Sequence, residues 1–219
     1  MPVCLTLLLS SALLAMPQQP PQRAPGAMQD LKSPDTGEGV AVSVVDEDVA
    51  LDVFSELAER KDIPYPAPDG SFARAHKMVR LLDERGLTAA KAWIVGALYV
   101  DSTRFGEMGF TYHVAPLLWV KVGKAVRLEV LDPSLFEKPV PYETWKAKLL
   151  AKPKAKATEV FFTTRFVYTP EERKTTGDDY SEESLRDMNQ TNRDMTRELF
   201  RFDWLQRRNG KQDAEKPQP

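Results

Sequence analysis

Thr111-Tyr112-His113-Val114-Ala115-Pro116-Leu117-Leu118-Trp119-Val120-Lys121-Val122-Gly123-Lys124-Ala125-Val126-Arg127-Leu128-Glu129-Val130-Leu131-Asp132 reads as two β-strands joined by a tight turn. Both runs are rich in β-branched and aromatic residues, and Gly123-Lys124 suits a two-residue hairpin turn. Such a turn pairs Val122 with Ala125. Counting back along both strands pairs Ala115 with Asp132, which leaves His113 diagonal to Asp132 on the same face, within side-chain reach. Pro116 is the weak point, because it cannot donate to a ladder and a bulge there would reverse the parity. An imidazole held by a carboxylate keeps one ring nitrogen protonated and leaves the other free to take a proton from a nucleophile.

Upstream, Asp69-Gly70-Ser71-Phe72-Ala73-Arg74-Ala75-His76-Lys77-Met78 opens a helix expected over about Gly70 to Arg85. Ala75, Met78, Val79 and Leu82 give its buried stripe, and Gly86 suits the left-handed residue that ends it. Ser71 falls in the first turn, where unpaired backbone N–H groups and the positive end of the helix dipole suit a nucleophile and a developing oxyanion. The Ser71 amide is one expected oxyanion donor, and sequence names no second. Ser71, His113 and Asp132 are therefore the candidate catalytic residues. Each also has an ordinary structural reading: a cap for the serine, a satisfied core group for the histidine, and a turn former for Asp132 before Pro133. His76 lies about 140° around the helix from Ser71 at 100° per residue and is read as structural.

Other elements follow from periodicity. Val40 to Val45 suits a short strand, and Ala50, Val53, Phe54 and Leu57 mark an amphipathic helix over about Asp48 to Lys61. Further strands are expected at about Ala92 to Val100, Phe110 to Val122, Ala125 to Leu131 and Glu159 to Tyr168. Leu185, Met188, Asn192, Met195, Leu199 and Phe202 step by three and four, predicting a long helix over Ser181 to Gln206.

The 219 residues suit one globular domain with tails. Thirty basic against 32 acidic residues leave a net charge of -2, which gives no bulk attraction for nucleic acid or an anionic membrane. The run Lys146, Lys148, Lys152, Lys154 and Lys156 reads as a solvated connector around Pro153 rather than an anion site. Residues 1–16 hold an apolar stretch, Val3 to Ala15, too short to span a bilayer and suited to a signal-peptide core, although no Lys or Arg precedes it. A secreted or periplasmic protein is expected. Residues 17–37, with Pro17, Pro20, Pro21, Pro25 and Pro34, read as a flexible leader, 38–206 as the folded domain and 207–219 as a polar tail. Cys4 is the sole cysteine, so a processed chain would hold no disulfide and no thiol nucleophile. With two histidines and no ligand spacing, neither metal nor cofactor is expected.

The segment Tyr65 to Met78, with Tyr112-His113-Val114-Ala115 and Asp132-Pro133-Ser134-Leu135-Phe136, resembles the bacterial protein-glutaminase (protein-glutamine deamidase) family. Val95, Gly96 and Trp145 extend the likeness, which spans roughly Asp48 to Tyr168. The resemblance implies a papain- or transglutaminase-like α+β fold, with an antiparallel sheet and a nucleophile-bearing helix packed on it. It also implies secreted hydrolases that convert protein-bound glutamine to glutamate through an acyl-enzyme, acting on protein or peptide substrates. Carried over, Ser71 stands in the place of a nucleophilic cysteine, His113 in that of the base and Asp132 in that of the orienting carboxylate. A thiol is stored as thiolate at a helix N-terminus, whereas a hydroxyl must lose its proton during attack. The serine is compatible with an engineered inactivating change, a natural degenerate site kept for binding, or a true serine enzyme. Alternatives are a non-catalytic binding protein using the same cleft, and a papain- or transglutaminase-like peptidase or acyltransferase.

Overall fold

A computed structural model describes residues 27–65, 67–174 and 178–214. Within them the chain runs β1 (Met28–Lys32), β2 (Gly39–Asp46), α1 (Glu47–Ala58), α2 (Ser71–Glu84), β3 (Ala90–Ser102), β4 (Gly106–Val122), β5 (Ala125–Val130), β6 (Val140–Pro141), α3 (Tyr142–Leu149), β7 (Lys156–Thr163), a 3-10 turn (Pro170–Lys174) and α4 (Glu182–Ala214). The strands form a sheet of order β1-β2-β4-β3-β7, with β5 paired to β4 and β6 to β5. The architecture is α+β.

The expected hairpin holds in register from Val122↔Ala125 to Leu117↔Val130, with Gly123 at φ 61°. Pro116 does not break it. Its carbonyl accepts from the Leu131 N–H at 2.8 Å, so its absent N–H falls on the side where β5 is already leaving the ladder. The opposite edge continues intact through Lys91↔Pro116 and Ile94↔His113.

The sheet is antiparallel, as the resemblance implied, at every pairing but one. β2 runs parallel to β4, because α1 and α2 form the crossover between β2 and the β3–β4 pair. The flexible leader needs correction. Met28–Lys32 pairs with β2 from Met28↔Ser43 to Lys32↔Gly39, and Leu31 is buried. Proline count misled here: Pro34 sits in a turn closed by Ser33 N–H to Glu38 O at 2.9 Å, and the Ser33 hydroxyl accepts from the Phe162 N–H at 2.9 Å. Residues 1–26, with the apolar stretch and Cys4, lie outside the described residues.

Helix α2 lies between two layers. Ala75, Met78, Val79 and Leu82 face the main core with Trp93, Ile94 and Leu117, whereas Ala73 joins Tyr168 and Met188 of a second cluster under α4. Gly86 closes α2 at φ 73°, as expected. α4 runs on to Ala214, past the expected end at Gln206, because Arg207, Arg208 and Lys211 favour helix and the next proline is Pro217.

Gly96 bends β3. Its φ of +145° suits glycine, a Cβ there would stand 2.1 Å from Lys156 O, and the register shifts beside it against both β4 and β7.

Candidate active site

His113 and Asp132 meet as the strand count requires. His113 Nε2 lies 2.8 Å from Asp132 Oδ2, with both side chains almost fully buried. The same oxygen accepts from Trp145 Nε1 at 2.8 Å, while Oδ1 accepts from the Ser134 N–H at 3.1 Å and the Ser134 hydroxyl at 2.5 Å. Four donors thus occupy a carboxylate that has about four lone-pair sites. Burial opposes the Asp132 charge, but the His113 imidazole and these hydrogen bonds outweigh it and hold the carboxyl below the usual carboxylate range.

His113 Nδ1 is buried without a hydrogen-bond partner among the described residues. The ring is framed by Phe110, 5.5 Å between centroids, and Trp145, 5.9 Å. It lines a cavity of about 420 Å³ with Tyr65, Arg74, Met108, Phe110 and Ser134. A larger opening beside α4 and Tyr168, about 870 Å³, contains none of the three candidates.

Ser71 is buried at the first position of α2, preceded by Gly70 in the left-handed conformation at φ 80°. That conformation brings the loop into the helix without a side-chain cap. The neighbouring Phe72 ring stands 6.3 Å from the ring of Tyr112, which precedes His113 on β4. The serine's helix is therefore packed on the histidine's strand. No hydrogen bond joins Ser71 to His113, and Ser71 does not line the 420 Å³ cavity. The structure brings His113 and Asp132 into contact, and no hydrogen bond links Ser71 to His113.

Arg74, one turn after Ser71, also reaches the cavity. Buried to 3% exposure, it donates through Nη1 to Asp69 O and makes no ion pair among the described residues. Burial pulls its pKa down against the charges of Asp132 and Asp69, yet a guanidinium stays charged. Sequence reading gave no role to Arg74, Ser134 or Trp145. The i, i+3 spacing of Ser71 and Arg74 was the available signal for the first, and the Asp-Pro-Ser turn for the second. Nothing local announced Trp145.

His76 is structural, as read. Its Nδ1 lies 2.7 Å from Lys91 Nζ, which also donates to Val167 O at 2.5 Å. Burial, then the charges of Lys91 and Arg80, push the His76 pKa down to about 2, and burial likewise carries Lys91 well below its ordinary value. The connector reading of the basic run holds only in part: Lys146 and Lys148 lie on α3 and Lys156 opens β7, while Lys152 and Lys154, between them, pair with Asp101 and Glu107. Among the described residues no cluster of His, Cys, Asp or Glu could hold a metal ion, and no helix is long and apolar enough to cross a membrane.

A glutaminase family model matches residues 50–149, a span that contains Ser71, Arg74, His113, Asp132 and Trp145. The solution structure of protein-glutaminase from Chryseobacterium proteolyticum is 25% identical with a TM-score of 0.55, covering 67% of this chain and 85% of that one. This is a protein-glutaminase fold. A crystal structure of protein-glutaminase aligns with a TM-score of 0.58 at 24% identity, covering 70% of this chain and 86% of that one. The crystal structure of pro-protein-glutaminase is 27% identical with a TM-score of 0.52, covering 57% of this chain and 49% of that one. The present chain thus spans about half the length of the pro-protein-glutaminase structures it matches. No curated protein matches the sequence significantly. The glutaminase-like match ends before β7 and α4, so the helix that covers α2 lies outside the matched model.

Proposed function

We propose that this protein is a glutamine side-chain amidohydrolase of the protein-glutaminase type, acting through Ser71, His113 and Asp132. The observation that carries the reading is the buried His113–Asp132 pair: His113 keeps Nδ1 free of a hydrogen-bond partner among the described residues and lines a cavity together with Arg74 of α2. The match of residues 50–149 to a glutaminase model supports the substrate class. Asp132 fixes the Nε2–H tautomer of His113 and stabilises the imidazolium that forms when Nδ1 accepts a proton. The Ser71 hydroxyl attacks the amide carbonyl carbon as its proton passes to Nδ1, and the oxyanion accepts from the Ser71 N–H at the helix start. The C–N bond breaks, ammonia leaves with the proton from Nδ1, and water, deprotonated by the same nitrogen, cleaves the ester to glutamate and regenerates the hydroxyl. Protein-bound glutamine is the proposed substrate, and export the proposed location, on the strength of the apolar stretch at Val3 to Ala15.

A second reading has one observation in its favour: Ser71 makes no hydrogen bond to His113, so the site also suits a protein that grips glutamine-bearing segments without turnover. Ammonia release from a blocked glutaminyl dipeptide and from casein separates the two, measured for the native protein, Ser71→Cys and Ser71→Ala. Activity of the native protein that disappears in Ser71→Ala supports the serine enzyme. Activity only in Ser71→Cys supports a preserved cleft with a disabled nucleophile. Silence of the folded native protein and the folded Ser71→Cys variant overturns the deamidase reading.

A further inference from the structure

Lys77 lies one turn after Arg74 on α2, and Lys61 and Asp62 precede Tyr65 on the loop that leaves α1. Arg74 and Tyr65 line the histidine's cavity, whereas Lys61, Asp62 and Lys77 line a separate groove of about 430 Å³. The rest of the groove belongs to α4, with Arg193, Arg197 and Phe200. Cavity and groove are therefore neighbours along the same two segments of chain, and the hydrolytic steps use only the first.

The groove concentrates positive charge in a chain whose net charge is -2. Its lining holds four cations and one carboxylate. That carboxylate is already held: Asp62 accepts from Arg60 at 2.8 Å through both oxygens and pairs with Lys77 at 2.7 Å. Arg197 pairs with Asp194 at 2.9 Å on the exposed side of the helix. Lys61 and Arg193 are exposed and make no ion pair among the described residues, and Arg193 donates to the neutral Gln190 amide oxygen at 2.9 Å. The two helices are fixed to each other where the groove forms. Asn192, almost fully buried, donates through Nδ2 to Ala73 O at 3.4 Å, and Met195 and Thr191 stand 3.2 and 3.4 Å from the place a Gly70 Cβ would take.

We propose that this groove docks an acidic segment of the protein substrate, a few residues along the chain from the glutamine that enters the cavity. The inference rests on the proposed reaction and names its substrate class, glutamines neighboured by Asp and Glu. Charge complementarity supports the acidic character, because carboxylates can reach Lys61 and Arg193 without displacing an ion pair. Adjacency supports the spacing. Arg74 and Lys77 are about 4.5 Å apart along the helix axis, and an extended peptide advances about 3.3 Å per residue, which puts the acidic residues about two to five positions from the glutamine. From Arg193 to Phe200 the helix rises about 10 Å, room for about three such residues. Phe200, 68% exposed, offers an apolar face at the end of that stretch. Lys77, 18% exposed, is recessed, which suits entering side chains and not a flat bilayer.

Calorimetric titration of the full-length protein with blocked glutamine peptides tests the proposal. One pair carries three acidic residues or three serines before the glutamine, and a second pair carries them after it. The expected result is about tenfold tighter binding of the acidic peptide in one of the two pairs, as a few partly exposed ion pairs supply, fading at high salt. Lys61→Gln combined with Arg193→Gln removes the difference, and Arg201→Gln, exposed on α4 outside the lining, keeps it. Equal affinities in both pairs, or a difference that survives the double substitution in a folded protein, would overturn the proposal. Should the double variant fail to fold, the two single variants decide, each expected to lose part of the preference; a preference unmoved in both removes the site. An oligothymidylate that binds the groove more tightly than the acidic peptide would assign it to nucleic acid and overturn the proposal as well. In whichever of the native protein and Ser71→Cys is active, the acidic peptide should show the lower KM at equal kcat. A binding preference without ammonia release supports the groove and removes the reaction, whereas ammonia release without any preference does the reverse.

Discussion

The two histidines of this chain are equally buried and oppositely equipped. His113 is tied to a carboxylate that welcomes an imidazolium, and the residue lines a cavity. His76 is tied to Lys91, whose charge would repel an imidazolium; its ring packs against those of Tyr168 and Tyr180, with centroids 4.9 Å and 5.2 Å apart, and its second nitrogen is buried without a partner among the described residues. A buried imidazole with one free nitrogen is therefore not yet a base. The sign of its partner decides whether it can hold a proton during a reaction.

The largest effect expected from this contrast is on turnover. Asp132→Asn, in whichever of the native protein and Ser71→Cys is active, should lower kcat by about 10⁴, the cost of losing the correct tautomer in a Ser-His-Asp site. His113→Ala should lower it by about 10²–10⁴, the range of general base catalysis. His76→Gln should leave activity per folded molecule unchanged, as ammonia release corrected for folded fraction will show. Comparable losses at both histidines would erase the distinction.

A middle-sized effect concerns stability. Trp145→Phe removes one donor to Asp132 Oδ2 and should cost about 1–3 kcal/mol in urea unfolding, the range for disturbing a buried hydrogen bond to a charged group. The smallest effect is a slope. Lys91 has a folded pKa below its unfolded value, so between the two the unfolded chain binds more protons and stability rises with pH. On the acid side of the ordinary lysine pKa, unfolding free energy should climb with pH by at most about 1.4 kcal/mol per pH unit, the limit for one proton. Lys91→Met should flatten that climb. The depressed pKa values of His76 and Asp132 act in acid instead, where stability falls as each group is protonated in the unfolded chain. An unchanged alkaline slope in Lys91→Met would show that Lys91 stays charged when folded.

How much of this was legible in sequence depends on how far apart the interacting groups lie. The Gly123 turn fixes a local register, so the diagonal from His113 to Asp132 follows from counting residues along two strands. Gly86 ended α2 for an equally local reason. By contrast, Trp145 and Lys91 act across elements, and no periodicity in their own segments signals the carboxylate or imidazole they touch. β1 was hidden by the prolines around it, although its pairing needs only the alternation of Leu31 and the turn at Pro34. The parallel β2–β4 contact is equally nonlocal, since strand direction depends on where two intervening helices are laid down.

Arg104, at the tip joining β3 to β4, donates to Leu199 O at 3.1 Å and to Asp203 at 2.6 Å, and the adjacent Phe105 packs on Phe202 with ring centroids 4.6 Å apart. Because Arg104 also lines the histidine's cavity, one wall of that chamber is moored to the last helix rather than to the sheet beneath it. Cutting the chain before Leu199 would slip that mooring and let the doorway widen, while every residue of the proposed chemistry stayed in place.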